Sequence, residues 1–307
     1  MKSIRRLLTL FSLVLLTALM VIACNSNSGG NDNAKGLVRV GSKDFTEQFI
    51  LGEMYALVLE NSGFKVERKL NLGGTPVAQA GLISGEIDLY PEYTGTALLT
   101  VLKEPTNSDR QQVYDTVAQG YKDRFNLIWL DPAPMNNSQA LAMTQEKAQQ
   151  YSIQTISDMV AKADQLTIVS TPEFQEREDS LPGLKRVYGD FNFKKLIPVD
   201  PGLRYPALFG GEADVVEAFG TDGQISANNL VVLEDDKGLF PPYQVAPVVR
   251  QEALDVAPGI RDALNALAPK LTDETMRRLN YEVDGNKREA AEVAKEFLIQ
   301  AGFLQGK

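Results

Sequence analysis

Two similar phrases in the chain place candidate ligand-binding residues directly after predicted strands. Residues 83–89 read Ile-Ser-Gly-Glu-Ile-Asp-Leu, and residues 209–215 read Phe-Gly-Gly-Glu-Ala-Asp-Val. Each copy predicts a helix end, a Gly-Glu turn and a short apolar strand, and each is followed by aromatic and threonine residues. Ligands of open α/β sheets bind beyond the carboxyl ends of the strands. The repeat therefore predicts two similar lobes facing each other across a cleft; the alternative is a common turn used twice.

Acid–base chemistry is restricted by the absence of histidine from all 307 residues. Ser-His-Asp and Cys-His nucleophilic sites are excluded, as are histidine-based metal sites. Paired carboxylates could still serve an exported hydrolase, with Glu86 and Asp88 or Glu92 and Asp222 as the pairs. We expect the first pair to end a helix and start a strand, and the second to cap turns and brace a pocket. Neither an EF-hand loop nor a Gly-rich phosphate loop appears, so no metal or cofactor is predicted.

The N-terminal residues have the pattern of a bacterial lipoprotein signal. A basic start (Lys2, Arg5, Arg6) precedes the apolar run Leu7 to Ile22, which ends at Ala23-Cys24, where the chain has its one cysteine. This pattern predicts a signal peptide over residues 1–23, cleavage before Cys24, a lipid on its thiol and a polar tether over residues 24–36. We therefore expect an exported protein, lipid-anchored to a cell membrane and facing the periplasm or the exterior. The alternative is an uncleaved signal anchor.

The charge of the chain bears on its partners. The full sequence has 31 basic and 40 acidic residues. Removal of residues 1–23, which contain three basic and no acidic residues, would leave 28 basic residues and a net charge of −12. Such a surface does not attract nucleic acid or anionic lipid, so neither is an expected partner. The remaining chain is long enough for one large domain or two of ordinary size.

Strand and helix signals alternate along the chain, which predicts an α/β fold with mostly parallel sheets. In the first part, Leu37 to Val40 predicts a buried strand, and Thr46 is the expected cap of a helix running to about Asn61. The predicted organisation is a discontinuous lobe I (37–138 and 239–307) and a lobe II (139–238). Two crossings, near residues 131–140 and 233–243, would form a hinge.

Longer motifs give the chain a specific resemblance. It resembles the substrate-binding proteins of ATP-binding-cassette importers for glycine betaine, choline, carnitine and related osmoprotectants. This resemblance implies the two-lobed periplasmic binding protein fold of type II. The matching phrases run in the family's order over nearly the whole mature chain: Gly-Ser-Lys-Asp-Phe-Thr-Glu-Gln (41–48), Gly-Glu-Ile-Asp-Leu-Tyr-Pro-Glu-Tyr-Thr-Gly-Thr (85–96), Asn-Asn (136–137), Thr-Asp-Gly (221–223) and Phe-Pro-Pro-Tyr (240–243).

The resemblance also implies binding residues. A trimethylammonium group has no N–H donor, so aromatic faces must recognise it, each contributing about 0.5–2 kcal/mol. Tyr93, Phe219 and Tyr243 match the family's aromatic cage. A ligand carboxylate requires donors, and the positions that match are Lys43, Thr96 and Arg177. Further candidates in the matching motifs are Gln48, Thr94, Asn136, Asn137, Tyr205 and Thr221. Without the resemblance, each of these aromatic residues is better explained by core packing.

Two positions depart from the family pattern. Ala133 and Gln139 stand where the family commonly has tyrosines, and the first is a cage position. One missing wall would weaken binding, or would make room for a bulkier ligand. The predicted function is that of a monomeric solute receptor that delivers a quaternary amine or zwitterion to an ATP-binding-cassette permease. The alternatives are a receptor for another amino acid-like solute, the carboxylate hydrolase, and a sensory receptor without a permease.

Overall fold

The computed structural model describes residues 36–306. Their strands are β1 (Leu37–Gly41), β2 (Lys65–Lys69), β3 (Leu89–Tyr93), β4 (Leu127–Trp129), β5 (Gln139–Met143), β6 (Thr167–Ser170), β7 (Lys195–Pro198), β8 (Val215–Phe219), β9 (Val231–Val232) and β10 (Val245–Arg250). Their α-helices are α1 (Thr46–Asn61), α2 (Thr75–Ser84), α3 (Thr94–Thr96), α4 (Arg110–Phe125), α5 (Gln145–Tyr151), α6 (Ile156–Val160), α7 (Leu181–Tyr188), α8 (Arg204–Phe209), α9 (Gly223–Ala227), α10 (Gln251–Val256), α11 (Gly259–Leu267), α12 (Asp273–Asp284) and α13 (Ala290–Gln300). Helix α3 continues as a π-helix over Ala97–Leu102.

The strands form two five-stranded sheets flanked by helices. The first sheet has the order β2-β1-β3-β10-β4, and the second has the order β7-β6-β8-β5-β9. Strand β1 is parallel to β2 and β3, whereas β10 is antiparallel to both of its neighbours. In the second sheet, β6 is parallel to β7 and β8, and β5 is antiparallel to β8 and β9. Each sheet is thus mixed: one strand, β10 in the first sheet and β5 in the second, is antiparallel to the others.

The repeated phrase forms the same structure in both sheets, as the sequence predicted. Gly85 and Gly211 follow the ends of α2 and α8 with φ of 80° and 77°, a left-handed conformation that glycine adopts without strain. Asp88 then accepts a hydrogen bond from the backbone N–H of Arg39 on β1 at 2.8 Å. Asp214 accepts the equivalent bond from Thr167 on β6 at 3.0 Å. The two copies therefore start β3 and β8 in equivalent positions.

The chain crosses between the sheets twice, from β4 to β5 and from β9 to β10. After the second crossing it adds β10 to the first sheet, and the C-terminal helices α11, α12 and α13 pack on α1. The largest buried apolar cluster joins this helix layer to the first sheet, through side chains such as Ile50, Met54 and Leu298. A second cluster, with Leu141, Phe174 and Val215, lies against the second sheet. The lobe boundaries given above remain a prediction.

Helix α1 begins one residue away from the predicted cap. Phe45 occupies the N-cap position with extended φ and ψ of −136° and 159°, and no side chain caps the helix. Thr46 was the predicted cap, but it is the first helical residue, and its hydroxyl donates to Asp284 at 2.5 Å. A contact with α12 thus takes the hydroxyl away from the helix start. Within residues 36–306, no helix combines the length and apolar character needed to cross a bilayer.

Candidate functional site

Between the two sheets lies a small central cavity of about 40 Å³ with four aromatic residues in its wall. Tyr93 and Phe219 are the last residues of β3 and β8. Phe45 precedes α1, and Tyr243 lies in the second crossing. Four polar residues complete the wall: Lys43, Thr96, Asn137 and Arg177. The structure therefore brings Tyr93, Phe219 and Tyr243 to one shared cavity at the strand ends.

Three of the four rings lie nearly parallel. The Phe45 ring centroid is 6.3 Å from that of Tyr93, with 25° between the ring planes, and 6.4 Å from that of Phe219, with 9° between the planes. Cations of the protein already lie over two of these rings. Lys43 Nζ is 5.4 Å from the Tyr93 centroid, and the Arg204 guanidinium carbon is 4.9 Å from the Phe219 centroid. The electron-rich faces of these rings can thus attract a cation, and charged side chains of both signs lie near them.

The fourth ring is fixed at both of its ends. The Tyr243 hydroxyl donates to Asp179 at 2.8 Å, and the Tyr243 backbone N–H donates to the Asn136 side chain at 2.7 Å. The ring lies directly on the backbone of Gly95, where an added Cβ would come within 2.7 Å of three ring atoms. A glycine at this position is therefore required for the ring to pack as it does.

Lys43 forms a buried ion pair beside the cavity. Its Nζ is 2.6 Å from Glu92 Oε1 and 2.9 Å from the Thr75 hydroxyl. The two charged side chains are 3 % and 0 % exposed. Glu92 also accepts hydrogen bonds from the Tyr90 hydroxyl and the Tyr93 backbone N–H. The pair fixes both charges, because removing either partner would leave a buried charge uncompensated.

Arg177 brings a second basic group to the cavity from the other sheet. Its guanidinium donates to both oxygens of Asp179, at 2.8 and 2.6 Å, and to the Thr96 hydroxyl at 3.2 Å. Burial alone would raise the pKa of Asp179, but the guanidinium and the Tyr243 hydroxyl outweigh it and hold that pKa below its usual value. Asp179 is therefore ionised near neutral pH and serves as an acceptor for both side chains.

Glu47, in the first turn of α1, is a buried carboxylate that the sequence reasoning did not select. It is 3 % exposed and accepts hydrogen bonds from four neutral groups. Its oxygens lie 2.7 Å from the Tyr93 hydroxyl and 2.9 Å from the Asn137 amide. The Thr221 hydroxyl and the Asn280 amide lie at 2.5 and 2.8 Å. Burial raises the pKa of Glu47, although these hydrogen bonds act in the opposite direction.

Two larger spaces adjoin the central cavity and share Phe45 and Phe219 with it. One, of about 320 Å³, has acidic groups in its wall, including Glu47, Asp222 and Asp284. The other, of about 270 Å³, includes Lys43 and Arg177. The first is called the acidic space here, and Arg204 and Lys287 also line it. The second has charges of both signs: three basic residues and the four carboxylates of Asp44, Glu173, Asp200 and Glu217.

The twelve predicted binding residues fall into three groups. Seven line the central cavity: Lys43, Tyr93, Thr96, Asn137, Arg177, Phe219 and Tyr243. Tyr205 lines the acidic space instead and donates to Asp222 at 2.7 Å. The other four, Gln48, Thr94, Asn136 and Thr221, brace the wall from behind. Their roles in binding remain a prediction.

The bracing contacts are specific. Gln48 accepts from the Lys43 backbone N–H at 3.0 Å and donates to Pro91 O at 2.9 Å. The Thr94 hydroxyl donates to Pro242 O and accepts from Gln244 N. Asn136 holds the Tyr243 backbone, as described above. These contacts hold the backbone around the cavity wall in place.

The two departures from the family pattern lie away from the cavity wall. Ala133 is 1 % exposed and belongs to the core of the first sheet, and its N–H donates to Val245 O. Ala133 does not line the cavity, and the fourth aromatic residue of the wall is Phe45. Gln139 is buried on β5, opposite Phe219, and donates to Ser180 at 2.6 Å. Neither position opens the cavity.

Three of the four candidate carboxylates, Asp88, Glu92 and Asp222, have structural partners. Asp88 accepts from the backbone and the guanidinium of Arg39, which ties the start of β3 to β1. Glu92 is paired with Lys43, as described above. Asp222 accepts from the Tyr205 hydroxyl and the Phe219 backbone N–H. These contacts agree with the expectation that the carboxylates start strands and brace the pocket.

Four residues of the site were missed by the sequence reasoning: Phe45, Glu47, Asp179 and Arg204. Phe45 and Glu47 belong to the family phrase at residues 41–48, so the motif pointed to them. Asp179 lies two residues after Arg177, a spacing at which a carboxylate can pair with it. Arg204 precedes Tyr205, and nothing in its local sequence indicates a buried cation over an aromatic ring.

The fold and the cavity define a two-lobed binding protein, and comparisons with known proteins place it in a family. Residues 36–300 match the family described as the substrate binding domain of ABC-type glycine betaine transport system, and the chain belongs to this family. Members of the family bind substrates for transport. The predicted type II periplasmic binding protein fold is confirmed: a solved glycine betaine/carnitine/choline ABC transporter structure superimposes with a TM-score of 0.69 and 33 % identity, covering 87 % of this chain and 99 % of that one.

Two relatives are named after the solutes that they bind. The carnitine transport binding protein OpuCC of Listeria monocytogenes is 34 % identical over 306 residues, which is 99 % of each chain. The ergothioneine transport permease/ergothioneine binding protein EgtU of Helicobacter pylori (strain G27) is 39 % identical over 266 residues, or 86 % of this chain. The chain spans about half of that relative, 47 % of its length.

Proposed function

We propose that this protein is the solute receptor of an ATP-binding-cassette importer and that it binds a betaine-type zwitterion in the central cavity. The observation that carries the proposal is the convergence of four aromatic rings from both sheets and the second crossing on one cavity that also presents Thr96 and Arg177. Aromatic faces attract a cation that has no N–H donor. Threonine and arginine donors suit a carboxylate. Both halves of a betaine are thereby matched.

The site suggests how the ligand is oriented. The quaternary ammonium group takes the space enclosed by the four rings of Phe45, Tyr93, Phe219 and Tyr243. The carboxylate points toward Lys43, Thr96 and Arg177. The charges of Lys43 and Arg177 are each balanced by a carboxylate, so the cavity does not repel the ligand cation strongly.

The dimensions favour a ligand with a body as well as a quaternary head. The central cavity is small, at about 40 Å³, while the adjoining spaces of about 320 and 270 Å³ have room for a larger substituent. Carnitine and ergothioneine, the solutes that name the two relatives, both carry a trimethylammonium group and a carboxylate. Ergothioneine adds a planar ring with N–H donors, and the acidic space offers carboxylate acceptors for them.

The remaining parts of the proposal concern delivery. The receptor closes its two lobes on the ligand, docks on a membrane permease as a monomer and makes or breaks no bond. Lobe I is residues 37–138 and 239–307, and lobe II is residues 139–238. Export, cleavage after residue 23 and lipid attachment at Cys24 rest on residues that lie outside the described part of the chain. Together they make the protein a receptor anchored to a cell membrane.

Calorimetry tests the proposal directly. Glycine betaine, choline, carnitine, proline betaine and ergothioneine are titrated into the chain from residue 25 onward, with glycine and histidine as non-methylated controls. We expect tight binding of at least one quaternary amine and none of its non-methylated counterpart. Preference for the non-methylated amine would favour a receptor for an ordinary amino acid, and absence of all binding would reject the ligand class.

A further inference from the structure

Glu47 differs in its partners from Glu92, Asp179 and Asp222. Glu92 pairs with Lys43 at 2.6 Å, Asp179 with Arg177 at 2.6 Å, and Asp222 lies 3.5 Å from Arg204. Among the described residues, no lysine or arginine nitrogen comes within 4.0 Å of a Glu47 oxygen; its partners are two hydroxyls and two amides. A buried carboxylate without a cation carries a large desolvation cost.

The position of Glu47 puts this charge directly behind the aromatic wall. Its Oε1 accepts from both the Tyr93 hydroxyl and the Asn137 amide, and both of these residues line the central cavity. Glu47 itself lines the adjoining acidic space. Only one side chain therefore separates the carboxylate from a cation held in the cavity.

We propose that Glu47 is the buried counter-charge of the ligand's ammonium group, so that the cavity selects a cation over a neutral group of the same shape. This inference rests on the proposed function, because it assumes that a quaternary amine occupies the cavity. Glu47 acts in two ways. Its charge attracts the ammonium group through a medium of low dielectric constant. Its hydrogen bond from Tyr93 also makes that ring a better partner for a cation, because the phenol donates to an anion.

Glu47 also links recognition to the closed arrangement of the sheets. Its Oε2 accepts from Thr221, just beyond β8 of the second sheet, and from Asn280 on α12 of the first half. Asn280 donates in addition to Thr221 O at 2.9 Å. Glu47 is thus held by groups from both sides of the cleft. All of its hydrogen bonds form together only when the two sides are in contact.

The titrating groups around Glu47 agree with this assignment. Asp222, which carries the same charge, helps to raise the pKa of Glu47, and Glu47 in turn contributes to the raised pKa values of Tyr55 and Tyr93. Asp284 and Arg204 lie in the wall of the same acidic space. The surroundings therefore disfavour an ionised Glu47 as long as no cation shares its site, and a quaternary ammonium group supplies that cation.

The test compares a cation with its neutral isostere. Glycine betaine is paired with tert-butylacetate, and choline is paired with 3,3-dimethylbutan-1-ol. In each neutral analogue of the ammonium group, carbon replaces the nitrogen. Affinities are measured by calorimetry or, for weak binding, by broadening of the ligand's methyl NMR signal. In Glu47→Gln, we expect the affinity for the quaternary ligand to fall by about tenfold or more relative to that for its isostere. Asn280→Ala disturbs the same network but keeps the charge, and should weaken both ligands by similar factors.

The outcomes separate the inference from the proposed function. If Glu47→Gln weakens the cation and its isostere equally, Glu47 is only structural and the inference is overturned. If the wild-type protein binds no quaternary amine at all, the proposed function fails first. Should Glu47→Gln not fold, choline still provides a test because it carries no titrating group. Its affinity for the wild type must then fall as acid protonates Glu47, and a pH-independent affinity contradicts the proposal.

Discussion

Tyr93 and Phe219 each lie four residues after the end of one copy of the repeated phrase, and both line the same cavity. Each is the fifth and last residue of its strand, β3 or β8. Each strand directly follows an aspartate, Asp88 or Asp214, that accepts a backbone hydrogen bond from the neighbouring strand. The repeat therefore does more than build two similar sheets. It places one aromatic ring from each half at the point where the two halves meet.

Removal of either ring should weaken the binding of a quaternary amine. For Phe219→Ala we expect a loss of about 0.5–2 kcal/mol in binding free energy from the cation–π contact alone, a few-fold to about thirtyfold in affinity. Calorimetry with the ligand of highest affinity measures this loss. Phe193→Ala removes a partly buried ring from the second sheet's apolar cluster, which does not border the cavity, and should leave affinity within about twofold. Equal losses in both variants would mean that Phe219 acts through folding.

Arg177 should distinguish ligands with a carboxylate from those without one. Arg177→Met combined with Asp179→Asn removes the donor without leaving a buried carboxylate unpaired. We expect this variant to lose about tenfold or more in affinity for glycine betaine or carnitine, because a charge-assisted hydrogen bond contributes about 1.5–3 kcal/mol. Choline lacks a carboxylate and should lose much less. A parallel loss for choline would show that the variant damages the cavity itself; Arg68→Met, at a surface ion pair, is the matched control.

The buried pair of Lys43 and Glu92 should be important for stability. Lys43→Met leaves Glu92 buried at 0 % exposure without its cation, which should cost about 3–5 kcal/mol in unfolding free energy. Urea denaturation of the ligand-free chain measures this cost. The double replacement Lys43→Met with Glu92→Gln should recover part of it. A single replacement costing less than about 1 kcal/mol would mean that water or a neighbour compensates the charge.

Glu47 should give the stability a characteristic pH dependence. Because burial raises its pKa above the ordinary value of 4.5, the folded chain binds more protons than the unfolded one between that value and the raised pKa. The contribution of Glu47 is therefore favourable in acid and is lost as pH rises through the folded pKa. The unfolding free energy of the wild type, measured relative to Glu47→Gln, should fall over this window. Glu217 also has a raised pKa, but it is present in both chains and cancels.

The lipid anchor predicted at Cys24 can be tested in cells. The wild-type chain should fractionate with membranes and show the mass of a processed, acylated N-terminus. Cys24→Ser should be released from the membrane and lack the lipid mass, because acylation requires the thiol. A Cys24→Ser chain that stays on the membrane would instead favour the uncleaved signal anchor.

The sequence predicted the strand ends and the repeated turn, because local patterns determine them. It also predicted the residues that line the central cavity, except Phe45, through the family motifs. It missed the role of Glu47, whose partners Thr221 and Asn280 lie 174 and 233 residues away along the chain. The same limit explains Thr46, where a contact with Asp284 replaced the expected helix cap. Contacts over such separations follow from the packing of the lobes, which local patterns do not encode.

The contact between Gly95 and Tyr243 has a consequence for how the pocket can evolve. Because the Tyr243 ring packs directly on the backbone at Gly95, it cannot move away from a ligand. This side of the cavity therefore limits the size of the ligand. A methyl group at position 95 would force the Tyr243 ring to move, and would change the cavity without replacing any residue of its wall. A single methyl group added at Gly95, outside the cavity wall, is therefore enough to change ligand selectivity.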